Sequence, residues 1–134
     1  MTLDTTARWV TAAMLVIVGV IHLLPVTGVA GGPRLLALYG IDVTDPSLEI
    51  LLRHRAVLFG LLGAFLLFAV LRPSLQPLAL VAAWVSVVSF LWLAHTSGDY
   101  NEHLSRVVAA DVVALVCLAA GSLSYLIGSH NWPS

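Results

Sequence analysis

Asp111 stands about eight to ten residues inside the last apolar run of the chain, where a carboxylate has no cheap structural role. It ranks first among the residues that could do chemistry. Five more ionisable groups lie within or at the ends of apolar runs: His22, His54, Arg55 and His95 in the others, and His103 at the start of the same last run. An imidazole oriented by a carboxylate supports general acid–base work, and an arginine near a carboxylate can hold a polar head group. Two imidazoles aimed at one iron at one depth would ligate haem, and His22 with His54 or His95 is the pairing on offer. No other cofactor is implied. Cys117, the single cysteine, sits in an apolar run, which excludes an internal disulfide, a Cys-x-x-Cys pair and a multi-cysteine zinc site.

Each candidate also has a plainer role. Arg53 and Arg55 can snorkel to the head groups from the first turns of their helix. His95, one turn before Gly98, can donate to the last carbonyls of its helix. His22 can fill the hydrogen-bonding gap that Pro25 leaves. His54 points about 100° away from Arg55, so the two cannot share one side of a helix. Glu102 and Arg106 read as an i,i+4 surface bridge, whereas His103, Val107 and Asp111 fall on one stripe.

These side chains need elements to position them, and composition says which. Of the 134 residues, 60% are hydrophobic and 10% charged, against roughly 45–50% and 25% in a soluble domain. The chain is read as one integral membrane domain, 1–134. Crossing a hydrocarbon core of about 30 Å takes roughly 20 apolar residues, and four stretches qualify. They run over about 8–29, 46–71, 75–95 and 101–127. The first is a retained helix and not a signal peptide, because Met1 to Thr6 carries Asp4 in place of a basic segment. Asp45-Pro46 reads as an N-cap with proline at the first helical position. Arg72-Pro73 and Thr96-Ser97-Gly98 read as stops, and Asp99 with Glu102 as a capping box for the fourth span. The expected fold is all-α, a four-transmembrane-helix up-and-down bundle. A short interfacial helix over Arg34 to Gly40 joins the first two spans.

Alternating the spans gives one end Asp4, Arg8, Arg72 and His130, and the other end the remaining fourteen of the eighteen Arg, Asp, Glu and His side chains. A polar pocket opening at that end follows, because buried charges in lipid face the bundle and pair. Rises of about 15 and 18 Å from Asp45 to Arg55 and from Asp99 to Asp111 make these two plausible partners, with His22 about 9 Å deep. Gly60, Gly63, Ser86 and Ser89 read as small residues that let helices pack closely. Trp9, Trp92 and Trp132, with Tyr39, Tyr100 and Tyr125, read as an aromatic belt, and Trp84 as a packing residue. Two arginines near the terminal end against four at the other favour a cytoplasmic polar face. The net charge of −1 excludes a nucleic-acid partner.

Ile21-His22-Leu23-Leu24-Pro25, Leu38-Tyr39-Gly40, the run Leu51-Leu52-Arg53-His54-Arg55-Ala56-Val57-Leu58-Phe59-Gly60 and Asp111 together carry a resemblance. Over roughly Val16 to Ala120 the chain resembles small actinobacterial four-helix membrane proteins of DoxX-like architecture. The resemblance implies a bacterial cell membrane and, in general terms, membrane redox or thiol-stress systems. Four readings of activity stay open. One is a pocket around His22, Arg55, His103 and Asp111 that binds a lipid, a quinone or another small amphiphile. A second is an enzyme with His22 or His103 as general base, oriented by Asp111, acting on a lipophilic substrate. A third is a proton-coupled transporter formed by a homo-oligomer, and the fourth is haem ligation. Membrane lipids are expected partners in all of them.

Overall fold

The computed structural model describes residues 2–130. Helix α1, Leu3–Leu23, starts five residues before the apolar signal does. Thr2 caps it by accepting from the Thr5 amide, and Asp4 sits in its first turn, where a negative charge suits the helix dipole. Pro25 has no N–H to donate, so the α-helix gives way to a tighter 3-10 segment, Leu24–Ala30, beginning with Leu24 N–H on the Ile21 carbonyl. Gly31, at φ 108°, turns the chain into α2, Gly32–Tyr39. This is the expected short helix. Gly40, at φ 64°, ends it with its N–H on the Leu36 carbonyl.

Helix α3, Pro46–Val70, begins as its sequence predicts: Asp45 accepts from the Ser47 amide at 2.7 Å and Pro46 takes the first helical position. A single 3-10 turn, Pro73–Leu75, leads into α4, Gln76–Thr96. After Gly98, at φ 85°, comes α5, Glu102–His130. The cap of α5 is a correction. Asn101 and not Asp99 does the capping, with its Oδ1 accepting from Leu104 N–H at 2.8 Å. A tertiary contact selects this register, since Asn101 Nδ2 donates to the Tyr39 carbonyl at 2.8 Å and ties α5 to the end of α2.

The four long helices form a ring in which α1 packs between α3 and α5, and α4 closes the ring between the same two. Thus α1 lies diagonal to α4, and α3 to α5. Each span, counted with its flanking 3-10 turn, has 24 to 28 residues and exceeds about 30 Å at about 1.5 Å per residue. The chain is a multi-pass membrane protein. Its outer faces carry Leu61, Val81, Val85, Val116 and Leu123, each at least 60% exposed, which is solvation in acyl chains and would be an aggregating surface in water.

Inside, Leu15, Val18, Leu66, Val87 and Leu118 interlock with Ala69, Ala79, Ala83 and Ala114. Small residues set the helix spacing. A Cβ on Gly63 would lie 2.9 Å from the Gly19 carbonyl oxygen, so α1 and α3 touch backbone to backbone there. Polar seams hold the rest: the buried Thr11 hydroxyl bonds the Ala7 carbonyl at 3.0 Å and lies 3.3 Å from that of Gly121 on α5, and Trp84 Nε1 donates to Ser122 Oγ at 3.0 Å. Trp84 therefore packs, as expected. Trp9, Trp92 and Tyr100 are exposed in the manner of a belt, but Tyr39 is 4% exposed and belongs to the interior. Trp132 lies outside the described residues, and the His130 side chain with it.

Candidate functional site

The polar end of the bundle encloses a cavity of about 260 Å³ between α1, α2, α3 and α5. His22, Tyr39, Arg55, His103, Arg106 and Asp111 line it, with apolar wall from Pro25, Leu38, Phe59 and Val107. Four of the six sequence candidates meet here. His54 and His95 do not: both are exposed and outside the lining. The 100° offset from Arg55 turns His54 outward, and at the end of α4 it is Thr96, not His95, whose hydroxyl reaches the Trp92 and Leu93 carbonyls.

His22 is 2% exposed and fully engaged. Its Nδ1 lies 2.8 Å from the Val18 carbonyl, which can only accept, so the proton sits on Nδ1. Nε2 then receives the Ser86 hydroxyl across 3.1 Å. The partner on its own helix is the Val18 carbonyl and not the Ile21 carbonyl near Pro25, so the gap-filling role is corrected: His22 is a strut between α1 and α4.

Arg55 has a different environment. Its guanidinium carbon lies 4.9 Å from the Phe59 ring centroid, 5.3 Å from that of Tyr39 and 5.7 Å from that of Phe90. Three rings stabilise the cation through their faces and leave its N–H edges unused. No hydrogen bond or ion pair within 4 Å joins Arg55 to any described residue. Asp111, on the diagonal helix, has no such partner among the described residues either. The two share one cavity and interact electrostatically across it without touching. The residues α3 presents to the cavity are Arg55 and Phe59, one helical turn apart.

The lid over this cavity is α2. Its Leu35 and Tyr39 are buried, and His103 Nδ1 bonds the Ala37 carbonyl at 3.2 Å, leaving Nε2 as an acceptor. Burial pushes the Tyr39 phenol above its ordinary value, and the Arg55 cation beside it draws it part of the way back. Two arginines behave otherwise than their spacing suggests. Arg53 does not simply snorkel: its Nε donates to the Val29 carbonyl at 2.8 Å and it pairs with Glu49 at 3.5 Å, which fastens α3 to the 3-10 segment. Arg106 forms no bridge to Glu102 within 4 Å and lines the cavity instead.

No protein-family model, curated protein or solved structure matches the chain. The site is therefore read from its own geometry. Among the described residues no three His, Cys, Asp or Glu side chains gather closely enough to hold a metal ion. A guanidinium and a carboxylate, each lacking a partner and facing one small, mostly apolar chamber, form a receptor for a head group that accepts from one and donates to the other.

Sequence reasoning missed Tyr39, Phe59, Phe90 and Ser86. Phe59 was within reach, being one turn from Arg55, and Phe90 is one turn from Ser86. Tyr39 has no local signal, because only the fold-back of α2 onto the bundle separates it from the interfacial tyrosines.

Proposed function

We propose that the chain is a DoxX-like protein of the bacterial cell membrane that binds the polar head of a lipid, a quinone or another small amphiphile in the cavity beneath α2. The observation that supports this most is the ring-held, hydrogen-bond-free Arg55 facing the equally unpartnered Asp111. A half-buried cation and carboxylate left apart are costly in lipid, and a bound head group that meets both offsets that cost. The apolar lining suits the first carbons of a tail. Native mass spectrometry of the protein extracted with its lipids tests the reading. A specific amphiphile should co-purify with the wild type and fall by about tenfold or more in Arg55→Met, as loss of a charge-assisted bond predicts. Equal adducts on wild type and Arg55→Met would refute it.

A second reading has one specific support. With Nδ1 donated to Ala37, His103 presents Nε2 as a base to the same cavity, so an acid–base enzyme acting on the bound amphiphile would use His103. Conversion of the co-purified amphiphile by wild type and not by His103→Gln would select it.

A further inference from the structure

We propose that the opposite end of the bundle holds a second, separate site, which takes the phosphodiester head of an anionic lipid on Arg8 and Gln76. The interlocked side chains of Leu15, Val18, Leu66 and Leu118 lie between the two ends, so this site shares no wall with the cavity under α2.

Two hollows meet there. One, of about 480 Å³, lies among α1, α4 and α5, with Ser124 and Tyr125 on its α5 wall. The other, of about 270 Å³, runs past Trp9 and Val70 towards the outer surface. Arg8, Pro73 and Gln76 line both.

Gln76 is the residue that points to a ligand. It is 8% exposed, yet its side-chain amide bonds to no described residue, although it lines both hollows. The amide atoms themselves open onto the hollows, so they are placed to meet a ligand there. Arg8 likewise makes no ion pair within 4 Å and no hydrogen bond with a described residue. A guanidinium, an amide N–H₂ and the hydroxyls of Ser124 and Tyr125 all favour a group rich in acceptor oxygens and negatively charged.

That group is a phosphate, and its source is most simply a lipid. The smaller hollow is walled by Trp9, Ala12 and Val70 and leads to the acyl-facing surface, with Trp9 68% exposed at its mouth. A glycerol backbone and the start of a tail fit such a groove, whereas free phosphate would leave it unused.

The test titrates the full chain in detergent with dioleoyl phosphatidylglycerol and counts bound lipids by native mass spectrometry. One saturable lipid that is lost in Arg8→Gln is expected, besides any held under α2, with dioleoyl phosphatidylcholine weaker there by about tenfold or more, because its head cancels the charge Arg8 reads. Arg8→Gln and Gln76→Glu should each weaken phosphatidylglycerol by about tenfold or more, the second by placing a carboxylate against the phosphate. Gln76→Leu, which adds no charge and suits a buried position, keeps the test valid where Gln76→Glu does not fold, and it should weaken binding in the same direction. Arg55→Met should keep the lipid that depends on Arg8 and Gln76, since Arg55 lines neither hollow. In a parallel arm, inorganic phosphate that raises the melting temperature of the wild type but not of Arg8→Gln, with no further gain from the lipid, would keep the phosphate site and assign it to the free ion. Phosphatidylglycerol binding that is unsaturable, equal to phosphatidylcholine or indifferent to Arg8 and Gln76 would overturn the proposal.

Discussion

The Ser86 hydroxyl stands 3.1 Å from Nε2 of His22, joining α4 to α1 across a bundle in which those helices lie on the diagonal. Hydrogen bonds between membrane helices are worth about 0.6 kcal/mol on average, so Ser86→Ala should lower stability only slightly. His22→Ala also deletes a buried ring and should cost about 2–4 kcal/mol. Thermal unfolding of both variants in detergent checks the order. A His22→Ala protein as stable as the wild type would show that the ring is no strut.

Asp111 has the reverse signature. Its carboxylate bonds to nothing described, so Asp111→Asn removes no structural contact and should stay within about 0.5 kcal/mol of the wild type. Retention of the co-purified amphiphile should nevertheless change, because the face opposite Arg55 loses its charge. A large loss of stability with ligand binding intact would make Asp111 a structural residue.

Asn101 performs two tasks at once, capping α5 through Oδ1 and holding the end of α2 through Nδ2. Asn101→Ala should cost about 1–2 kcal/mol for the cap alone. It should also release the lid: hydrogen exchange over 32–39 should speed up, while exchange in the middle of α3 stays slow. Exchange in α2 that does not respond would mean the Asn101 contact is not what seats it.

Tyr39 supplies a pH dependence whose sign can be worked out. Its folded-state pKa is raised above the ordinary value of about 10, so the folded protein holds this proton more tightly than the unfolded chain. The associated stability is fully present below pH about 10 and is lost as pH rises through the raised folded value. A titration of phenolate absorbance should contain a late phase that is missing from Tyr39→Phe. The same late phase in that variant would place the shift on another tyrosine.

The spans were legible because lipid imposes a length and a composition that local sequence records directly: α3 starts at Asp45-Pro46 and Gly98 ends a turn, as read. The convergence of His22, Arg55, His103 and Asp111 was legible from depth along the helices, since rise per residue is fixed. Partnership was not. Arg55 takes three aromatic faces in place of Asp111, and Glu49, not Glu102, finds its arginine, because rotation about helix axes and the fold-back of α2 are set by packing that no single segment encodes. The Asn101 cap eluded the sequence for the same reason, its register being chosen by the Tyr39 carbonyl on another helix.

The approach of Gly63 to the Gly19 carbonyl has a mechanical consequence. Where main chain rests on main chain there is no rotamer to swing aside, so the seam between α1 and α3 cannot loosen one residue at a time. Any movement at that point must carry both rods together as stiff bodies.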